Sequence, residues 1–317
     1  MPSFRLASPL AAMFVVSMLA GCGSDGGGGG PAGGLAAEAK EIFAAGSAEN
    51  QAIAMAGELE TAAAAGDVVT ADARAFALTG LALTEYRAGN LVGGSGVPTA
   101  LATFLKHVFE GAGLAVPPLS AVSLGNEGIV EVVQTTGGTF TTPTLRAGID
   151  LPAGALPRPV LLVASRLPDA STYPPNDGPL PTSFDQYPLF YEFSVTPAVA
   201  LGSDAIVGVC EVSEPSSPYY AADDVLARLQ LAHPDPANPS TIVLLDRVGV
   251  PFVDCDDVAT RAARGASLLA RRPGIGGRVR TFGPFGAVDP QTEGGVLARN
   301  PSPVYTCGLV FHVNGST

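Results

Sequence analysis

Ile149-Asp150-Leu151-Pro152-Ala153-Gly154-Ala155-Leu156-Pro157-Arg158-Pro159-Val160-Leu161-Leu162-Val163-Ala164-Ser165 holds two short apolar runs parted by a turn. Ile149 to Leu151 and Val160 to Ser165 have strand length and β-favouring residues. Between them Pro152 ends ladder pairing, Gly154 accepts turn geometry, and Leu156 can fold back onto a core. A strand, a proline-bounded turn and a second strand make this part of the chain a sheet.

The same pattern continues in both directions from Pro117-Pro118 onward. Ile129 to Val133, Leu189 to Val195, Ile206 to Val212, Val225 to Leu231 and Ile242 to Leu245 are short β-like runs bounded by Gly, Pro, Asn and Asp. In Val225-Leu226-Ala227-Arg228-Leu229-Gln230-Leu231 the alternation places Val225, Ala227, Leu229 and Leu231 towards a core, with Arg228 and Gln230 towards water. Strands at this spacing predict a sandwich or barrel over residues 120–257. Residues 258–317 read as an Arg/Gly/Pro-rich tail. In it Asp257 can cap a short helix reaching Arg272, and Pro273 to Pro301 reads as loop or disorder. Tyr305, Cys307, Leu309, Phe311 and Val313 alternate like one more strand.

Gly137-Gly138-Thr139, then Ile149 to Leu156, then the strand Val160 to Ser165 resemble the ZU5 domain of ankyrins, netrin receptors and bacterial surface proteins. Tyr191 to Pro197, followed by Ile206 to Val212, is similar to that family's second half, where a strand ends in Thr-Pro or Ser-Pro. The resemblance covers Glu127 to Val212 and departs from the family in the Pro/Asn/Asp insertion from Leu167 to Tyr187. It implies a ZU5-like, immunoglobulin-like antiparallel β-sandwich used for interaction or support, with no catalytic residues to carry over.

Upstream, residues 35–115 have helical period and predict a small helical domain. Ala52, Ala56, Leu59 and Ala63 form one seam, and Val69, Ala73, Phe76, Gly80, Leu83 and Arg87 continue another. Gly66 can end the first helix and Asp67 or Thr70 can cap the second, so Glu49 to Ala88 reads as a helical hairpin. Pro98 to Gly111 is an amphipathic helix with Leu101, Phe104, Leu105, Val108 and Phe109 on its core side. The expected fold class is therefore α+β, a helical hairpin region followed by the sandwich. Its 317 residues and 47% apolar content suffice for two folded units.

The first 21 residues read as a signal peptide: Arg5, then the uncharged run Leu6 to Ala20, too short and interrupted by Pro9 to span a bilayer comfortably. Leu19-Ala20-Gly21-Cys22 resembles the bacterial lipobox, which implies cleavage before Cys22 and lipid on its sulfur. Residues 22–34 carry Gly26 to Gly30 and read as a flexible tether. Gly23, rather than aspartate, follows the cysteine, which by resemblance to Gram-negative lipoproteins implies the outer membrane. The expected location is thus the cell envelope, with the membrane a partner through Cys22.

Export permits disulfides. Cys210 closes one strand-like run and Cys255 follows Val250 to Val253, which favours a Cys210 to Cys255 bridge, although spacing leaves Cys307 able to take either partner. A net charge of -12 repels phosphate backbones and excludes nucleic acid as a partner. The arginines Arg261, Arg264, Arg271, Arg272, Arg278 and Arg280 read as a solvated segment beside Asp254, Asp256 and Asp257. Those aspartates lack the glycine and downstream glutamate of a calcium loop, and Asp223-Asp224 reads as solvated too, so no metal is expected.

The sequence has no Gly-x-Ser-x-Gly elbow, Walker loop, dinucleotide fingerprint or His-Glu-x-x-His helix. His107, His233 and His312 sit in different segments. No enzyme activity and no cofactor are expected, and the leading reading is an envelope protein for protein contact or structural support. The alternatives are a glycan or ligand binding module using Tyr173 and Tyr187 in the insertion, and, less favoured, a secreted hydrolase assembled from distant segments.

Overall fold

The computed structural model describes residues 34–167, 185–210, 227–235, 238–256, 258–264 and 274–289. It is an α+β fold of three layers: helices, a six-stranded antiparallel sheet and a five-stranded antiparallel sheet.

Four helices alternate in direction: α1 (Gly34–Ile42), α2 (Ser47–Ala64), α3 (Val68–Ala88) and α4 (Val97–Gly111). The break between α2 and α3 follows from local chemistry. Gly66 takes the left-handed region at φ 71°, and Asp67 caps α3 by accepting from the Thr70 backbone N–H at 3.1 Å and the Thr70 hydroxyl at 2.6 Å. Both bonds favour the ionised carboxylate and lower the pKa of Asp67. Gly89, at φ 73°, ends α3.

Alanines at Ala52, Ala56, Ala71, Ala75 and Ala82 are buried and let the helix axes approach, while Phe43, Phe104 and Phe109 fill the space between them. The seams differ from the expected ones in detail. On α2 the buried position is Ala62 and not Ala63. On α3, Val69 and Ala73 are exposed and burial runs through Ala71, Ala75, Leu78, Thr79 and Ala82, because α3 is packed by α2, α4 and the sheet together.

The six-stranded sheet has the order β1-β4-β5-β11-β7-β8, and the five-stranded sheet β2-β3-β6-β10-β9. Their strands are β1 (Gly128–Val133), β2 (Gly138–Thr141), β3 (Ala147–Leu151), β4 (Val160–Arg166), β5 (Asp185–Thr196), β6 (Ala205–Val209), β7 (Gln230–Asp235), β8 (Asn238–Leu244), β9 (Arg247–Val248), β10 (Ile275–Val279) and β11 (Gly283–Asp289). Between the sheets lies a core that includes Ile149, Leu162, Tyr191, Phe193, Val207 and Phe285. Phe285 meets Phe193 edge-on with centroids 5.7 Å apart.

β4 joins the layers. Val160, Leu162 and Ala164 enter the sandwich core, whereas Leu161 and Val163 enter the core formed by the helices, as does Val130 of β1. The strand is buried on both faces, which explains its unbroken apolar run.

Two expectations about the C-terminal half are corrected. The sandwich does not stop at residue 257: β10 and β11 lie inside the stretch read as loop, and each is an interior strand of its sheet. Glycine-rich sequence reads as loop because glycine weakens strands, yet here the backbone needs it for close contact. β7 begins at Gln230, so Ala227 and Arg228 form a turn rather than strand, while Leu229 and Leu231 are buried as the alternation required. A short helix α5 (Val258–Arg264) stands where the tail helix was expected. The strand expected over 305–313 and the residues Val225 and Leu226 lie outside the described residues.

The close contact is a row of glycines across the five-stranded sheet. Gly148 of β3 pairs with Gly208 of β6, which pairs with Gly276 of β10. The segment after β9 crosses this row: a Cβ on Gly208 or Gly276 would sit 2.9 Å and 2.3 Å from Val250, and one on Gly148 would sit 3.0 Å from Phe252. Gly276→Ala is expected to destabilise by about 1–3 kcal/mol through overpacking. Gly249→Ala, whose Cβ would meet nothing within 4 Å, should change little, and denaturant unfolding of the two variants checks the contrast.

In the helical layer the Thr79 side chain is fully buried and its hydroxyl has no partner among the described residues. Thr79→Val keeps the shape and removes the unpaired hydroxyl, so it should stabilise by about 1 kcal/mol in the same measurement.

Candidate functional site

The helices meet the sandwich at the open edge of β1, where a cleft of about 240 Å³ is lined by residues including Tyr86, Arg87, Leu124, Glu131 and Thr142. Arg87, in the last turn of α3, donates to the Val130 carbonyl and pairs with Glu131, both at 2.7 Å. It thereby satisfies an edge carbonyl and covers the strand edge. Tyr86 donates its hydroxyl to the Leu124 carbonyl at 2.8 Å. Ser120 and Ser123 close a turn on each other, each hydroxyl accepting from the other's backbone N–H.

Two strands in from this edge is a buried phenol. Tyr191 of β5 is fully buried and donates to Glu127 Oε2 at 2.6 Å. Burial, and then the neighbouring Glu127 carboxylate, push its pKa far above the ordinary tyrosine range, with Arg166 and Arg146 opposing weakly.

The turn between β2 and β3 forms the far wall. Leu145 holds a left-handed φ of 59°, a conformation that costs about 1 kcal/mol or more for a branched residue. It is fixed from both sides: the Leu145 N–H donates to the Thr142 carbonyl at 2.8 Å, and the Leu145 carbonyl accepts from the Asp254 N–H at 2.9 Å. Thr142 is buried, and its hydroxyl accepts from the Arg146 and Ala147 N–H groups. Arg261 of α5 donates to the Thr144 carbonyl at 2.5 Å.

Behind that turn, Cys210 and Cys255, the pair favoured by the sequence, are joined by a disulfide with 5.1 Å between Cα atoms. Both are buried beside Val250 and Val253. Asp254 is buried, and Arg264 of α5 forms ion pairs with Asp254 and Asp256. The expected solvated arginine segment is therefore corrected at Arg264, whose side chain is only 10% exposed. Its removal would leave a buried carboxylate without that cation, a costly arrangement. Arg280 pairs with Asp204 at 2.5 Å, and Arg278 is exposed.

The histidines are not brought together where they are described. His107 of α4 contacts Glu38 of α1 at 2.7 Å. His233 lies in β7 opposite Val243, its ring 5.6 Å from that of Phe285. Among the described residues no three His, Cys, Asp or Glu side chains are grouped to hold a metal ion, and no helix is long and apolar enough to cross a membrane. Cys22, Tyr173, Asp223, Asp224, Asp257, Arg271, Arg272, Cys307 and His312 lie outside the described residues, as does the side chain of Tyr187.

Magnitudes decide what the cleft can do. At about 240 Å³ it is smaller than the roughly 300–1,000 Å³ of ordinary small-molecule pockets, and its polar groups are turned on one another. A second hollow of about 350 Å³, lined by Tyr86, Gly89, Leu91, Gly94, Ser95, Val97 and Pro98, carries no acid or base beyond the engaged Tyr86 phenol. The β1 edge is a polar latch between layers. Sequence reading missed the pairings of Arg87 with Glu131 and of Tyr191 with Glu127, because a charged or aromatic residue gives no local sign of a partner many residues away. No protein-family model matches the chain, and no curated protein sequence matches it either.

The raised pKa of Tyr191 has a definite sign. The folded state holds the phenolic proton more tightly than the unfolded chain, so this contribution to stability is complete below about pH 10 and falls as pH rises beyond it. Unfolding titrations from pH 8 to pH 12 should show that decline, and Tyr191→Phe should make it shallower while costing about 1 kcal/mol at neutral pH from the lost hydrogen bond.

Proposed function

We propose that this chain is a non-enzymatic lipoprotein of the bacterial cell envelope, carrying a helix-backed, ZU5-like sandwich for protein contact or structural support. The observation that carries the reading is the sequence Leu19-Ala20-Gly21-Cys22 at the end of an uncharged run that begins after Arg5. Acyl groups on one cysteine hold a folded body at a bilayer, because each buried methylene contributes about 0.8 kcal/mol and two or more chains anchor stably. Gly23 after the cysteine favours the outer membrane of a Gram-negative cell.

Two features of the folded body support the reading. The buried Cys210 to Cys255 disulfide suits an oxidising compartment. The ionisable groups that the fold gathers are spent on one another: Arg87 on Glu131, Arg264 on Asp254 and Asp256, His107 on Glu38, and Tyr191 on Glu127. Such a body offers rigid surface for a partner, an envelope protein or a glycan, more than it offers a reactive centre.

Intact mass of the membrane-extracted protein tests the anchor. The expected species begins at Cys22 and carries acyl groups, and Cys22→Ser should abolish both the cleavage and the membrane retention. A chain beginning elsewhere, or an unmodified thiol at Cys22, would overturn the proposal.

A further inference from the structure

Taking the Cys22 anchor as its premise, the structure points to a second membrane contact: we propose that the α2 to α3 loop together with the helix ends beside it, Ala64 to Val69, rests on the lipid surface that holds the acyl chains. The argument starts from where the chain enters the fold. Leu35, the second residue of α1, donates its N–H to Glu60 Oε1 at 2.6 Å, which pins the start of α1 beside the last turn of α2. Gly111, the last residue of α4, lies against Leu35 and Leu59. The start of α1, the end of α2, the start of α3 and the end of α4 therefore share one end of the helical layer.

At that end the turn from α2 to α3 is largely apolar. Ala64, Ala65 and Gly66 are exposed, Val68 is 66% exposed and Val69 is 81% exposed, the highest value among the large apolar side chains of the described residues. The one charge in the loop, Asp67, is occupied in capping α3. Of the nearby charges, Arg74 pairs with Glu58 and Arg158 with Asp72, Glu60 accepts from the Leu35 N–H, and Glu110 at the end of α4 is exposed. Val68 and Val69 sit in the first turn of α3, where a helical hairpin needs only a cap and a solvated face. Their exposure has no role in the packing of the fold.

The length of chain before Gly34 selects the occupant. Eleven residues separate Cys22 from Gly34, and glycine-rich sequence of that length spans about 20 Å as a coil. Lipid on Cys22 thus keeps this end of the helical layer, rather than the opposite end, close to the bilayer. With a net charge of -12, attraction to anionic headgroups cannot hold the body down, so contact falls to apolar side chains entering the interface.

The chain contains no tryptophan, so a single substitution gives an unambiguous optical probe. The lipidated full-length protein would be reconstituted into phosphatidylethanolamine and phosphatidylglycerol vesicles containing brominated acyl chains, with Val69→Trp compared to Val92→Trp. Val92 is 52% exposed and its N–H bonds the carbonyl of Ile42, the last residue of α1, which places it at the opposite end of the layer. The expected result is flotation of both variants with the vesicles, and bromine quenching at least about threefold stronger for Val69→Trp, with emission shifted to the blue.

Equal, weak quenching of the two variants in protein that floats would overturn the loop contact and leave the anchor standing. A dimer of the detergent-solubilised protein in sedimentation, broken by Val69→Asp, would assign the loop to a second copy of the chain, and also overturn it. Failure of both variants to float, with an unmodified Cys22, would remove the anchor and the loop contact together.

Discussion

A strand with two apolar faces must be covered twice. Leu161 and Val163 on one side of β4, and Val160, Leu162 and Ala164 on the other, are each almost wholly withdrawn from water. Burying a side chain such as Leu161 or Val163 contributes about 1.5–3 kcal/mol, and exposing both would put a large share of a typical folding free energy at risk. The sandwich supplies cover for one face only. The helices supply the other, and their arrangement follows from that demand: α3 lies against β1, α4 packs between α1 and α3, and Arg87 closes the edge that the helices leave open.

The second sheet solves the same problem by a different route. Among the described residues its outer face carries no helix against the glycine row, and there Gly148, Gly208 and Gly276 form a shallow trough. A single crossing segment, Val250 to Val253, fills it. Bulky side chains meet bulky side chains at the helical face, whereas at the trough backbone is brought close to side chain by omitting Cβ atoms. The disulfide ties the end of the crossing segment to the end of β6, and Arg264 neutralises the aspartates beside it.

Much of this was legible in the sequence, for physical reasons that can be named. Gly66 and Asp67 marked the α2 to α3 break because only a left-handed residue and a capping carboxylate serve there. Leu101, Phe104, Leu105, Val108 and Phe109 marked α4 because one face of an isolated helix needs burial. Pro152 to Leu156 marked the turn into β4, and Leu156 is buried as its position required. Cys210 and Cys255 were suggested by the apolar runs they close. β10 and β11 were not legible, since a local reading counts glycine against a strand and cannot see Val250 lying across it. Arg264 looked solvated because its aspartate partners gave no local sign that they would be buried. Tyr191 and Glu127 are 64 residues apart, and nothing local announces such a pairing. The continuous run at β4 did contain a signal: unbroken apolarity, rather than alternation, is what a doubly covered strand requires.

The double cover of β4 also sets an order of events during synthesis. α4 ends at Gly111 and β4 begins at Val160, so the helices emerge and can collapse on local contacts well before the strand that completes their core. β10 and β11, interior to both sheets, arrive later still, and the pairings they close are long in sequence separation and slow to form. Until residues 275–289 are available, the chain carries sticky, half-built layers. That interval, with strand edges unpaired and apolar faces uncovered, is the stage at which aggregation competes with folding.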